Sequence, residues 1–231
     1  MVGIATRLAA VRSRIEDAAA RAGCTPARLV AVSKGHPLAA IEEAFACGQR
    51  DFGENYVQEW REKAVGLHQP GVVWHFLGRL QTNKAREVVG EVSLIHGVDR
   101  QGLIDALARR TQGVQEVLLQ VNLVGEASKG GCSPDEVAPL LDAICSAPTL
   151  RCRGLMLIPP DREDPEDNRP LFRALRSLLM RERERLVGVD PEAAASLQEL
   201  SMGMSDDFEV AAEEGATLVR VGSAIFGPRG S

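Results

Sequence analysis

The chain has 231 residues, a net charge of −5 and 45% hydrophobic residues, which suits one folded domain, residues 1–231, with a full core. Its mild acidity, with no basic run interleaved with aromatics, excludes a general nucleic-acid surface, and no stretch of about 18 apolar residues could span a bilayer. The N-terminus lacks a signal-peptide pattern and the five cysteines have no C-x-x-C spacing, so neither a disulfide framework nor a zinc ribbon is indicated and the expected location is the cytoplasm.

In chain order, Ile4, Leu8, Val11, Ile15 and Ala18 recur at helical spacing and predict an amphipathic helix over Ile4–Ala22. Leu29–Ser33 is a β-branched apolar run, followed by a helix over Leu38–Cys47 that Gly48 stops. A weak strand at Arg50–Phe52 leads into a helix to about Val65, a strand at Val72–Leu77 and a short helix over Asn83–Val89. A strand at Val92–Gly97 is followed by Asp99 as the N-cap of a helix reaching Thr111. Glu116–Leu123 is the clearest strand. Ser133-Pro134-Asp135-Glu136 carries a capping box with proline at the first helical position, opening a helix to Ser146. Then come a strand at Arg153–Ile158, a charged proline-rich loop to Pro170, a helix over Leu171–Leu186, a strand at Leu197–Met202, a short helix over Asp206–Glu214, a strand at Leu218–Val221 and a final turn reaching Ser231.

Strand and helix alternate, and several strands are apolar without a period of two, as for strands covered on both faces. Eight such units favour a closed (β/α)₈ TIM barrel, one domain with an extra N-terminal helix. The chain has neither G-x-G-x-x-G after the first strand nor a Walker A lysine, so the common open nucleotide-binding sheets lack support.

Chemistry in such a barrel sits at the C-terminal ends of the strands. Lys34, Asn55, His75, Gln81, Asn122, Ser201, Arg220, Gly222 and Ser223 fall at or near those ends. Lys34 follows an apolar strand, and a low-dielectric setting favours the neutral amine that attacks an aldehyde. A strand-end lysine reaching solvent is the other reading. Ser201-Met202-Gly203-Met204-Ser205 and Arg220-Val221-Gly222-Ser223-Ala224 follow strands seven and eight, the usual phosphate position of this fold. Two tight turns that merely close the barrel would carry the same residues. Arg220, inside a barrel strand, needs an acceptor or a ligand, and a structural ion pair would serve equally. Asp206, Asp207, Glu213 and Glu214 read as helix-terminal or solvated charges, and His36 and His68 as loop or surface residues. His96 reads as a satisfied strand-end histidine, Trp60 and Trp74 as packing.

The segments Ala31-Val32-Ser33-Lys34, Phe52-Gly53-Glu54-Asn55-Tyr56-Val57-Gln58-Glu59 and Trp74-His75-Phe76-Leu77-Gly78-Arg79-Leu80-Gln81-Thr82-Asn83-Lys84 are motifs of one family. So are Gly154-Leu155-Met156, Leu200–Ser205 and Val219–Gly227. From about Leu29 to Gly227 the chain resembles the pyridoxal phosphate homeostasis proteins, which are alanine-racemase N-terminal-domain-like. The resemblance implies a fold-type III barrel with pyridoxal 5′-phosphate (PLP) held as a Schiff base on Lys34. It further implies that Ser201, Gly222 and Ser223 hold the phosphate, that Arg220 faces the pyridine nitrogen, and that Asn55, Met156, Met202 and, more weakly, His75 surround the cofactor. Gly35-His36 departs from the family, which often has threonine and a basic residue there. Ser223 stands where threonine is frequent.

Arginine only donates hydrogen bonds, so it leaves the ring nitrogen unprotonated and the cofactor a weak electron sink. The resembling racemases take a second acid/base, a tyrosine, from a C-terminal β domain. This sequence ends at Ser231, soon after the eighth strand, so no such domain is expected, and the single tyrosine, Tyr56, is expected to pack beside strand two. The expectation is a carrier, not an efficient enzyme: a PLP-binding protein of intracellular PLP homeostasis that buffers the cofactor and delivers it to PLP-dependent apo-enzymes, as a monomer. A low-activity amino-acid racemase is the alternative.

Overall fold

The structure is a computed structural model and describes residues 3–67, 69–126 and 130–228. His68 therefore lies outside the described residues, as does the end of the final turn. The strands are β1 (Arg28–Val32), β2 (Asp51–Glu54), β3 (Val73–Phe76), β4 (Leu94–Val98), β5 (Gln115–Gln120), β6 (Leu150–Met156), β7 (Glu199–Ser201) and β8 (Leu218–Val221). They pair in parallel and in sequence order, and β1 pairs with β8 to close the expected barrel. Around it lie α1 (Ile4–Ala22), α2 (Leu38–Ala46), α3 (Val57–Gly66), α4 (Gln101–Ala108), α5 (Val137–Cys145), α6 (Arg169–Val187), α7 (Pro191–Ser196), α8 (Phe208–Glu213) and α9 (Ser223–Phe226).

Two apolar cores follow from strand alternation. Outward residues such as Phe52, Phe76, Ile95, Leu119 and Val219 pack under the helices with Leu8, Leu103, Leu141 and Phe172. Val30, Leu94, Leu118, Met156 and Leu218 form a separate small cluster. They come from strands on opposite sides of a closed barrel, so they can meet only in its lumen. Helix α1 covers part of the wall with Ile4, Leu8, Val11, Ile15 and Ala18, and ends at Gly23 in the left-handed region. Its Arg7 guanidinium donates to the Ile225 and Phe226 carbonyls, at the far end of α9.

Element edges differ from the sequence expectation in definite ways. Strand β2 runs two residues further, because Gly53 and Glu54 pair with His75 and Phe76. Asp99 does not cap α4: the cap is the extended backbone of Arg100, and the Asp99 carboxylate accepts from the Arg100 side chain and the Gly131 N–H. The short helix α7 was not foreseen; Asp190 accepts the Ala193 N–H at 3.0 Å and Pro191 stands in its first turn. The capping box at Ser133 and Glu136 is present.

Candidate functional site

A cleft of about 540 Å³ opens at the C-terminal ends of the strands. Lys34, Asn55, Arg220, Gly222 and Ser223 line it together, as expected from their strand-end positions, and Met156, which only the resemblance implies, lines it with them. His36, Asp161, Met204, Ser205 and Asp206 line it too, and were not anticipated there. His36, read as a loop or surface residue, stacks its ring 5.2 Å from that of Phe226.

Three expected site residues are not on the cleft wall. Ser201 is fully buried below it, its Oγ accepting from Arg220 Nη1 at 2.7 Å. Met202, the next residue, faces the opposite way into the outer core. His75 is buried, with Nδ1 3.0 Å from His96 Nε2 and Nε2 3.0 Å from Asp51 Oδ1. His96 is satisfied, as expected: its Nδ1 lies 2.8 Å from Ser201 Oγ. Asn122 and Gln81 do not line the cleft; Asn122 holds its own loop through Gly125 N–H and the Glu126 carbonyl. Tyr56 does not pack: it is 66% exposed and off the cleft wall.

Lys34 owes its direction to alternation. Val30 sits in the lumen, Val32 lines the cleft, and Lys34 continues the same face one step beyond β1. Its two neighbours are clamped from outside the barrel. Buried Lys63 of α3 donates to the Ser33 carbonyl at 2.7 Å, to Glu54 Oε1 at 2.6 Å and to Glu59 Oε1 at 2.7 Å. The Ser33 hydroxyl donates to Glu54 Oε1 at 2.6 Å, and the Gly35 N–H donates to Glu59. Burial pushes the Glu54 carboxyl upward, against the hydrogen bonds from Lys63 and Ser33. The lysine-bearing turn is thus fixed by a hydrogen-bonded ionic group and not only by packing.

Arg220 lies in the lumen, 5% exposed, with Nη2 donating to the Leu157 carbonyl at 2.8 Å and Nη1 to Ser201. Burial lowers its pKa to about 10, and the Asp207 carboxylate opposes that shift. Asp207 stands at the N-terminal end of α8, as the helix-terminal reading has it, but it is buried and not solvated. It accepts the Met204 N–H at 2.7 Å and the Asn168 amide at 2.9 Å. Glu213, half-buried at the end of α8, and Glu214, buried just past it, both pair with Arg169.

The turns after β7 and β8 meet. Ser205 Oγ accepts the Gly222 N–H at 3.2 Å. Gly203 makes this possible: its φ is +90°, and a Cβ there would lie 2.6 Å from the Ala211 Cβ. On the other side of the cleft, Gly78 lets β3 approach Asn55, since a Cβ would lie 1.9 Å from the Asn55 carbonyl oxygen. Among the described residues no cluster of histidine, cysteine, aspartate and glutamate could hold a metal ion, and no helix is long and apolar enough to cross a membrane. The five cysteines are all unbridged.

A family model described as alanine racemase, N-terminal domain matches residues 6–230. The chain belongs to this family. Relatives within reach of the alanine racemase N-terminal domain family include the pyridoxal phosphate homeostasis protein of Aquifex aeolicus, 45% identical over 96% of this chain and 97% of that one. The protein of the same name from Pseudomonas aeruginosa is 44% identical over 99% and 97%. Among solved structures, PipY of Synechococcus elongatus with PLP bound has a TM-score of 0.85 and 38% identity, covering 97% of this chain and all of that one. Alanine racemase of Corynebacterium glutamicum shares the fold at a TM-score of 0.69 and 17% identity, with 96% of this chain matched to 59% of that one.

Proposed function

We propose that this protein binds pyridoxal 5′-phosphate covalently through Lys34 and serves intracellular PLP homeostasis, holding the cofactor and releasing it to PLP-dependent apo-enzymes. The observation that carries the reading is the placement of a half-buried lysine, a buried arginine and a serine–glycine turn pair around one cleft. The donor set suits the group: an amine for an aldehyde, a cation that only donates for a ring nitrogen, and a hydroxyl with backbone N–H groups for a phosphate. Gly222 keeps that corner open, since a Cβ there would crowd the Val32 carbonyl oxygen at 3.0 Å. In α9 the Ile225 and Phe226 N–H groups close on the Gly222 carbonyl, and those of Ser223 and Ala224, one step earlier, suit an anion.

The bound cofactor would supply a reactive aldehyde and an electron-withdrawing ring. The protein's part is then to hold it. Lys34 anchors it, with the Ser33–Gly35 turn fixed by Lys63 and Glu59. Ser205, Gly222 and Ser223 would hold the phosphate, with Asn55 and Met156 beside the ring. Arg220, which only donates hydrogen bonds, would serve the ring nitrogen without protonating it, which would disfavour carbanion chemistry. Tyr56, the single tyrosine, is off the cleft wall, which favours a carrier over a racemase with a tyrosine acid/base. The reading includes a monomer located in the cytoplasm.

The deciding experiment is borohydride reduction of the PLP-loaded protein followed by peptide mass spectrometry. The expected result is a pyridoxyl mass on the peptide containing Lys34, absent from Lys34→Ala. Modification elsewhere, or none, overturns the reading. A chiral assay with L-alanine separates the racemase: robust turnover that depends on Lys34 would defeat the carrier.

A further inference from the structure

The lumen of the barrel holds a line of polar groups that runs away from the cleft. From Arg220 Nη1 it is 2.7 Å to Ser201 Oγ, then 2.8 Å to His96 Nδ1. From His96 Nε2 it is 3.0 Å to His75 Nδ1, and from His75 Nε2 another 3.0 Å to Asp51 Oδ1. Ser201 and His96 are wholly buried, and His75 and Arg220 nearly so. Asp51, at the start of β2, lines a second cleft of about 270 Å³. Four strands besides β8 thus contribute one residue each to a path joining the two clefts.

The two ends set the direction. A guanidinium can only donate, and an ionised carboxylate can only accept. With both imidazoles neutral, Asp51 requires the proton on His75 Nε2. His75 Nδ1 then accepts from His96 Nε2–H, and His96 Nδ1 accepts from the Ser201 hydroxyl. Ser201 Oγ keeps its lone pairs for Arg220. Every link is filled by one proton, and all donors point from Arg220 toward Asp51. No other arrangement of two neutral rings satisfies every link. Burial, together with the positive charge of Arg220, disfavours a protonated His96. The other charged groups near the line agree with this assignment. Arg28 of β1 lies 3.6 Å from Asp51 and puts a cation beside it, Glu199 of β7 lies 3.7 Å from Arg28, and Asp207 faces Arg220 from the loop before α8.

We infer that Ser201, His96, His75 and Asp51 are positioning residues that orient the Arg220 guanidinium, and that Ser201 is not a phosphate ligand. A hydroxyl has one proton, and that of Ser201 is committed to His96. The inference rests on PLP binding at the cleft only for its spectroscopic consequence; the tautomer assignment belongs to the protein itself.

Two measurements test it. In the cofactor-free protein, nitrogen-15 NMR of the side chains should show His75 and His96 both as Nε2–H tautomers near pH 8. A His96 Nδ1–H tautomer would reverse the line and overturn the inference. In the PLP-loaded protein, Ser201→Ala should displace the visible absorbance band and its pH dependence while changing the PLP dissociation constant less than about threefold, a change of well under 1 kcal/mol. Ser201→Thr, which keeps the hydroxyl, should restore the wild-type band. An unchanged band in Ser201→Ala, or a loss of affinity matching that of Ser205→Ala, would overturn the assignment. Failure of the wild-type protein to form any Lys34-dependent adduct would sink the functional proposal instead, and would leave the NMR result standing.

Discussion

The Ser205 hydroxyl accepts the Gly222 N–H at 3.2 Å and so ties the turn after β7 to the turn after β8. Removing that oxygen loosens both sides of one corner of the cleft. Ser205→Ala should weaken PLP binding about tenfold or more, as expected for the loss of a hydrogen bond to a charged group. Fluorescence titration of the cofactor-free protein measures it, and an unchanged dissociation constant would exclude Ser205 from the phosphate corner.

The clamp behind Lys34 gives a stability prediction. Lys63→Met leaves the Glu54 carboxylate buried without its cation. The loss should be about 3 kcal/mol by urea denaturation, since breaking one half of a buried pair strands the other charge. The double variant Lys63→Met, Glu54→Leu should recover much of it. If the double variant is no more stable than the single one, the pair is not the source of the cost.

The buried His96 ring imposes a pH dependence of known sign. Burial holds its folded pKa well below the ordinary value of 6.5. The unfolded chain therefore takes up a proton that the folded chain refuses as pH falls below that value. The stabilisation is fully present above about pH 6.5 and is lost on acidification toward the folded pKa, at up to about 1.4 kcal/mol per pH unit. Unfolding curves between pH 7 and pH 5 should be steeper in pH for the native chain than for His96→Gln. Parallel curves would show that His96 is protonated in the folded state.

At Gly78, two residues past β3, the backbone passes so close to Asn55 that no side chain fits. Gly78→Ala must push the ends of β2 and β3 apart. Its melting temperature should fall by several degrees, as for overpacking that costs about 1–3 kcal/mol. A retained melting temperature would mean that the two segments separate freely.

The barrel and its cleft were legible because alternation and strand-end placement are local properties. Lys34, Asn55, Arg220, Gly222 and Ser223 needed only a correct strand end, whereas an apolar Met156 gives no such signal and was named through the resemblance alone. Ser201 shows where that reasoning stops. It does end its strand, but it occupies the layer beneath the cleft, and the Gly203 turn brings Ser205, four residues later, to the wall. The spacing could not tell one serine from the other. The pairing of His75 with His96 and of His96 with Ser201 joins residues 21 and 105 positions apart, so it depends on barrel closure. The Asp190-Pro191 signal for α7 was present in the sequence and passed over. The buried state of Asp207 was not readable, because it comes from Asn168 in a distant loop.

Arg7 reaches from the first helix to the carbonyls that end α9. Helix α1 and helix α9, far apart in sequence, therefore abut. Such an arrangement tolerates being opened elsewhere: a linker running from α9 to α1, with a cut in an exposed loop, should give a circular permutant that still folds. Clipping off α1, by contrast, would unlatch the small helix that borders the cleft at Gly222 and Ser223, so damage near the front of the chain would be felt near its back.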